Sequence, residues 1–505
     1  MNTPSDDLHK LIKSLTPSER GYFKKFASLS YGKESNYMRL FNAIEQQDEY
    51  EEKKIKQIFK NETLIKHLPS EKNHLYKIIL EHLYAYGSDQ SVDVKLNKML
   101  FQIQILFKKN LFYQCQKLLL RAKKMAIEAE KYPQIIALIR LQMIFSNKIP
   151  IENVQVLIHE QNAGVKIYAN ELAYSQLLAE LLQLKIKNNL PFSKEMKELM
   201  NRPLLTDEKK ALSFSARMRF LNLRANYSLQ IGDLPGSYRF GKRLVELIES
   251  TPRKMKRDEK FYNIALMNLL IILDKARYYE ELVETTVKLR SVVTTDEESA
   301  IEVFTVSYVT ELNMYIYTGE FEKGLALIPQ FISSFEMNSK KMNPYNKLII
   351  TCKIAILFFG ANQLKKALLW INKTLNQENE GSPNQAIRAT SILNLIVHFE
   401  LGNMDLLEHL IKSTNYLQVE KQSLYKVEVC VLNFFKGLPE SHTPKELMNE
   451  FKKLKTKFVF LLKDPLEKEA LNYFDYPSWV ESKIKQRPFA EIVREKYRKA
   501  PRILL

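Results

Sequence analysis

Apolar positions recur along this chain at the three- and four-residue spacing of a helix that buries one face. The clearest case is the stretch 308–328, YVTELNMYIYTGEFEKGLALI, in which one apolar helix ends at Gly319 and another begins with Phe321. Glycine tolerates the left-handed backbone that a tight turn between two helices needs. This stretch therefore predicts a helical hairpin, and related stretches follow along most of the sequence.

Aligning these stretches on the residue between the two helices gives eight turn positions with a period of about 42 residues. Gly or Asn occupies every position except Ala276. Each hairpin leaves an apolar edge that the next hairpin covers, as in a solenoid. The sequence thus predicts an all-α fold, a right-handed α-solenoid of antiparallel helical hairpins. The predicted turn residues are Asn110, Asn147, Asn189, Gly232, Ala276, Gly319, Asn362 and Gly402.

Around the clearest turn, the order of side chains is aromatic, glycine, aromatic and small, at Tyr315, Gly319, Phe321 and Gly324. This order resembles the tetratricopeptide repeat, over about residues 92–438. The resemblance implies that the first helix of each hairpin lines the concave side of the array. The chain departs from that family in its period, which is about 34 residues there, and in the missing proline that usually closes each repeat. HEAT-like helix pairs are closer in length, so both geometries remain open.

The two ends of the chain do not follow this period. We treat residues 1–90 as an N-terminal helical module, residues 91–438 as the hairpin array and residues 439–505 as C-terminal capping helices. In the module, the T-x-x-E sequence from Thr16 to Glu19 predicts a capping box at the start of a helix. The two ends, LTPSERGYFKKF and WVESKI, also resemble a group of bacterial helical-repeat proteins without an assigned activity, which implies only a bacterial, cytosolic setting.

An aromatic cluster lies near the C-terminus. An array needs its last apolar face covered, so we interpret this cluster as part of the cap. The alternative is an exposed aromatic site for a peptide, since Trp and Tyr often anchor interfaces. The cluster consists of Tyr473, Phe474, Tyr476, Trp479 and Ile484.

Composition agrees with a helical, soluble chain. Only 13 Gly and 18 Pro occur in 505 residues, which favours helices over sheets with many turns. The sequence has no apolar run long enough to span a membrane, and its polar start lacks the features of a signal peptide. We expect a cytoplasmic protein without membrane insertion. The three isolated cysteines are expected to be buried free thiols.

The formal net charge of +18 indicates a field that attracts nucleic acid, anionic lipid or acidic proteins. Basic residues are dense over 193–260 and again near the C-terminus, whereas 296–322 is acidic. Basic faces with interleaved aromatic residues bind nucleic-acid phosphates and bases. The other interpretation is an ordinary solvated helix surface.

Motifs that carry chemistry are scarce. The sequence has no phosphate-binding loop, dinucleotide-binding glycine pattern, nucleophile elbow or zinc-protease motif. His67, His74 and His82 are seven and eight residues apart, whereas metal ligands on one helix usually use spacings of three or four. We therefore expect no catalytic residue, no cofactor and no metal site, in a protein that is not an enzyme.

Polar residues at equivalent positions of the first helices are candidates for groove contacts. Carboxamides can bind both groups of a peptide backbone, and arginine can hold a carboxylate or phosphate. The alternative is that these side chains bond across adjacent helices. Six residues before a turn stand Gln104, Gln183, Asn226 and Asn313, and ten and thirteen residues before Gly232 stand Asn222 and Arg219.

Two hypotheses for function follow. The first is a non-enzymatic scaffold or regulator that binds a protein or peptide in the groove of the solenoid. The second is a helical-repeat protein that binds nucleic acid through its basic faces. The sequence leaves the oligomeric state open.

Overall fold

The computed structural model describes residues 6–31, 35–60, 62–87, 91–149, 153–187, 194–251, 259–294, 296–339, 341–377, 385–419, 425–438 and 443–500. Over these residues the chain forms 26 α-helices and no strand, and adjacent helices pack in pairs. The all-α prediction is therefore confirmed. None of the helices in these ranges is both long enough and apolar enough to cross a membrane.

The chain divides into two compact units, residues 1–173 with 212–214, and residues 174–211 with 215–505. Helix α9 contributes residues to both. The first helices in chain order are α1 (Asp7–Ser14), α2 (Pro17–Tyr31), α3 (Asn36–Glu45), α4 (Glu52–Ile58), α5 (Leu68–Gly87), α6 (Val92–Lys108), α7 (Phe112–Glu128), α8 (Tyr132–Ile144) and α9 (Val154–Lys187).

The remaining helices are α10 (Lys194–Met200), α11 (Pro203–Thr206), α12 (Phe214–Gln230), α13 (Leu234–Glu249), α14 (Glu259–Ala276), α15 (Tyr279–Ser291), α16 (Glu297–Thr318), α17 (Phe321–Ser339), α18 (Pro344–Gly360), α19 (Leu364–Leu375), α20 (Gln385–Glu400), α21 (Met404–Val419), α22 (Lys426–Lys436), α23 (Pro444–Leu461), α24 (Pro465–Lys468), α25 (Tyr476–Lys485) and α26 (Phe489–Lys499). Short 3-10 turns cover Thr63–His67, Phe145–Asn147, Glu208–Lys210 and Glu469–Asn472.

In the first unit, helices α1 to α5 enclose one apolar core and α6 to α9 enclose another. The capping box predicted at the start of α2 is confirmed. The Thr16 N–H donates to Glu19 Oε2 at 2.8 Å, and the Glu19 N–H donates back to Thr16 Oγ1 at 3.3 Å. These bonds satisfy backbone donors that the first turn of a helix leaves free.

Turns between paired helices share one backbone geometry. Asn110, Gly232, Gly319, Asn362 and Gly402 all have positive φ, as the sequence predicts. In each turn the N–H after the left-handed residue donates to the carbonyl five residues earlier, at 2.8 to 3.0 Å. This is the bond that closes a helix end in the Schellman motif, so the same local chemistry ends every one of these first helices.

Two of the eight predicted turns differ from expectation, and a third is not tested. Arg277, with φ of 57°, makes the turn after α14, so the alignment on Ala276 was wrong by one residue. Asn147 lies in a 3-10 turn and is not among the residues with positive φ. Asn189 lies outside the described residues. Instead, Glu130 makes a left-handed turn between α7 and α8 that the sequence pattern did not predict.

Small residues allow the hairpin helices to approach closely. A Cβ on Gly324 would lie 2.7 Å from Leu357 Cδ2 and 3.1 Å from Tyr315 Cβ. At the equivalent position of other hairpins, Cys115, Ser237 and Ala367 are fully buried. These hairpins therefore share close helix packing at this position.

In the second unit, α18 and α20 are each the first helix of a hairpin, and both are buried on nearly every side. All twelve residues from 386 to 397 in α20 are buried, and eleven of the seventeen residues of α18 are buried. Their hairpin partners cover one side. The C-terminal segment, which we define as residues 465–499 with helices α24, α25 and α26, covers another. Its Trp479 is fully buried against Phe399 and Phe435.

We predict that Gly319→Ala destabilises the protein more than Gly402→Ala. Both glycines have φ of 74°, so alanine adds about 1 to 2 kcal/mol of left-handed strain at either site. At Gly319 the new Cβ would also lie 2.9 Å from the Arg494 backbone nitrogen and 3.0 Å from the Ala490 carbonyl of α26, whereas nothing lies within 4 Å at Gly402. The overlap adds about 1 to 3 kcal/mol. Urea unfolding of both variants measures the difference, and equal losses would contradict the contact with α26.

Candidate binding face

Polar side chains link the first helices of successive hairpins in the second unit. They come from α12, α14, α16 and α18. We call this set the polar row. Its members are Asn222, Asn226, Asn268, Asp274, Asn313 and Lys353.

At one end of the polar row, three carboxamides join α12 to α14. The Asn222 Oδ1 atom accepts from Asn226 Nδ2 at 2.9 Å and from Asn268 Nδ2 at 3.0 Å. Asn222 is only 8% exposed, whereas Asn226 and Asn268 are half-buried. Asn222 therefore holds two helices together, while its two neighbours still reach solvent.

Farther along the row, Asn313 on α16 joins Asp274 on α14. The Asn313 Nδ2 atom donates to Asp274 Oδ2 at 2.8 Å. Although part of the Asp274 residue meets solvent, its Oδ1 atom is buried and accepts no hydrogen bond within the described residues. Burial is the main reason that the pKa of Asp274 rises to about 6, against the lowering effect of the Asn313 hydrogen bond and of the Lys353 charge.

Lys353 connects the polar row to the C-terminal segment. It is 6% exposed, and its Nζ atom donates to the backbone carbonyl of Asn472. The Tyr317 hydroxyl donates to the Asn472 side-chain oxygen at 3.4 Å. Burial lowers the pKa of Lys353, and the charge of Asp274 partly opposes this shift. The C-terminal segment thus lies directly on one end of the polar row.

Helix α26 lies on the turn between α16 and α17. Arg494 Nε donates to the Gly319 carbonyl at 2.9 Å. Ala490 and Val493 belong to the same apolar core as Phe321. The Phe489 ring lies 5.7 Å from the Phe321 ring, measured between centroids. An 11-residue terminal helix is therefore held by one apolar stripe and a hydrogen bond to the turn.

A second group of buried ionisable side chains lies where the C-terminal segment meets α20 and α22. Glu467 is buried, and its Oε2 atom accepts from the Val427 N–H at 3.0 Å. Glu428 is 1% exposed and lies near Arg388, Glu467 and Tyr476. Burial raises the pKa of Glu428 to about 7, although the Arg388 charge lowers it.

The structure brings some of the six predicted contact residues together. Asn222 and Asn226 share a hydrogen bond, and Asn313 joins the same polar row. The half-buried Arg219 donates to Ser215 Oγ on its own helix. Gln104, in the first unit, is exposed on α6.

Gln183, the remaining predicted contact residue, is exposed on α9. It lines a pocket of about 750 Å³ beside the ion pair between Glu180 and Arg202, whose atoms are 2.7 Å apart. No contact among the described residues joins it to the polar row. The assignment of these six residues to a partner remains a prediction.

The sequence analysis missed Asn268, Asp274 and Lys353. A signal was present, because each interrupts an apolar helix, as Lys353 does in LIITCKIAILFF. A charged residue inside such a run is expected to have a specific partner. Its partner, Asn472, lies 119 residues away, and no local pattern indicates that contact.

No group of three or more His, Cys, Asp or Glu side chains that could hold a metal ion occurs in the described part of the chain. Comparison with known proteins finds no matching protein family, no matching curated protein and no matching solved structure.

We predict that Glu428→Gln flattens the dependence of stability on pH. The folded protein binds the Glu428 proton more tightly than the unfolded chain does, because the folded pKa of about 7 exceeds the ordinary value of 4.5. The wild-type free energy of unfolding should therefore fall as pH rises from about 4.5 to 7, by about 3 kcal/mol from this residue.

Urea unfolding at pH 5 and pH 8, followed by tryptophan fluorescence, measures this decline in both proteins. Asp274 lowers the free energy of unfolding over the same pH range in both proteins. The difference between the two pH profiles therefore reports the contribution of Glu428. Parallel pH profiles would show that Glu428 is not buried as described.

Proposed function

We propose that this protein is a non-enzymatic scaffold or regulator that binds a segment of a protein partner along the first helices of its hairpins. The observation that carries this proposal is the chain's own C-terminal segment, which is seated on one end of the polar row and on the turn at Gly319. A face that holds one helical segment of this chain has the apolar and polar groups to hold a similar segment from another protein.

The other end of the polar row supports the proposal because it remains accessible. Asn226 and Asn268 are half-buried, and Arg219 lies two helical turns earlier on the same helix as Asn226. Carboxamide groups offer both donors and acceptors to an extended backbone. In a tetratricopeptide-like, right-handed array these residues would line the concave groove, and a bacterial, cytoplasmic setting fits a protein of this kind.

Charge pairing favours a protein partner over nucleic acid at the basic span 193–260. Several of its cations already have acidic partners within the chain, such as Arg243 with Glu208 at 2.7 Å. Lys242 is likewise paired with Glu281. Paired cations release fewer counterions from a phosphate backbone, so the described part of this span offers less to nucleic acid than its composition indicates.

We predict that a peptide of residues 487–500 binds the full-length Val493→Asp variant at least tenfold more tightly than it binds the wild-type protein. Val493 is a buried residue of α26 that packs into the apolar core, and an unpaired aspartate in its place would release the helix. In the wild-type protein the tethered helix competes at an effective concentration of about millimolar, so it excludes the peptide.

Fluorescence anisotropy with a labelled peptide measures both affinities. Lys499→Asp is the matched control, since Lys499 is exposed on the same helix and this variant should exclude the peptide as the wild type does. A peptide that itself carries Val493→Asp should not bind. If the released variant fails to bind the wild-type peptide while its thermal unfolding remains cooperative, the proposed binding face is wrong.

A further inference from the structure

Helix α23 has a buried apolar face and a solvent-exposed face that is both basic and apolar. Phe451, Leu454 and Phe458 pack into the core of the second unit. On the exposed side, Val459 is 63% exposed and Phe460 is 72% exposed. Large apolar side chains with this much exposure at neighbouring positions are unfavourable in water and often mark an interaction surface.

A shallow pocket lies along the same side of α23. It has a volume of about 530 Å³, and Cys430 of α22 contributes to it. The α23 residues that line it are three and four positions apart, so they form one stripe of the helix. These residues are Lys453, Thr456, Lys457, Phe460 and Leu461.

Lysines surround the exposed apolar residues, and most have no acidic partner. Lys453 forms an ion pair with Glu450 at 2.7 Å. Four further exposed lysines beside these residues form no ion pair with any described residue, although the charge of Lys455 helps to lower the pKa of Glu481. They are Lys452, Lys455, Lys457 and Lys463.

A third exposed apolar side chain follows the helix. Leu466, in the first turn of α24, is 64% exposed and comes three residues after Lys463. The face therefore combines unpaired positive charge with aliphatic and aromatic groups along a helix of 18 residues. We define the α23 face by Lys452, Lys455, Lys457, Val459, Phe460, Lys463 and Leu466.

We propose that the α23 face binds the surface of an anionic lipid bilayer. A helix that lies in the plane of a membrane places lysines at the level of the phosphates and inserts apolar side chains below them. Unpaired lysines supply the charge complementarity to acidic headgroups. The aliphatic Val459 and Leu466 favour a bilayer over nucleic acid as the partner. Their transfer out of water lowers the free energy of the system, but aliphatic side chains do not stack on bases.

The test is sedimentation of the full-length protein with vesicles. We expect binding to vesicles that contain about one third phosphatidylglycerol in phosphatidylcholine, and at least tenfold weaker binding to pure phosphatidylcholine, because charge attraction to anionic headgroups is lost. Binding to the anionic vesicles should weaken as salt increases. Equal binding to both compositions, or binding to neither, would overturn the proposal.

Two variants separate the charge and apolar contributions. Lys457→Glu should weaken binding to anionic vesicles several-fold, whereas Lys412→Glu should not, because Lys412 is an exposed lysine on α21 with Glu408 as its partner. Phe460→Ser should also weaken vesicle binding while thermal unfolding stays unchanged, because the side chain is mostly exposed. If Phe460→Ser binds vesicles as the wild type does, the apolar side chains of this face do not insert into the bilayer and the proposal is wrong.

A thiol label reports the site directly. Cys430 is half-buried in the pocket beside Phe460, whereas Cys115 and Cys352 are buried. An environment-sensitive dye on Cys430 should shift its emission to shorter wavelength with anionic vesicles. If instead a short DNA duplex or a polyglutamate peptide produces the shift and vesicles do not, the partner is nucleic acid or an acidic protein, and the lipid proposal is wrong.

Discussion

Helices α18 and α20 carry buried residues around almost their whole circumference, and most of these are apolar, so each helix needs cover on more than one side. A helix that is apolar on all faces is stable in water only as a buried element. Their hairpin partners cover one side, and the C-terminal segment packs against another. The packing of the C-terminal segment on these helices buries Trp479 and Tyr476. It also fixes the surroundings of Lys353 and Glu428 and the position of α26.

The buried charges at this contact limit how strongly the segment is held. Removing Lys353 or Glu428 from water has a desolvation cost that nearby opposite charges only partly offset. The raised pKa of Glu428 and the lowered pKa of Lys353 are two expressions of that cost. Docking of the segment is therefore weaker than an all-apolar contact of the same area. If the proposed function is correct, this is the property that lets a partner helix compete with α26.

Sequence periodicity predicted the features that depend on local chemistry. Gly319 and Asn362 were identifiable as turns because few residue types adopt a left-handed backbone, and Thr16 with Glu19 forms a capping box whatever the tertiary fold. Arg277 was missed because arginine rarely adopts positive φ and nothing in its neighbours indicates it. The contact between Lys353 and Asn472 was out of reach, since it joins residues 119 apart and a helical period describes only the nearest turns.

The density of basic residues in the sequence and the positions of unpaired positive charge in the structure do not coincide. From the sequence, the span 193–260 is the obvious basic surface, yet Arg243 and Lys242 in it are paired with carboxylates. At α23 the lysines are fewer, but those at 452, 455, 457 and 463 have no such partners within the described residues and stand beside exposed Phe460. A local field depends on uncompensated charge rather than on the number of basic residues. The unpaired lysines of α23 therefore contribute to the attraction implied by a charge of +18, and the apolar groups beside them narrow the choice of partner.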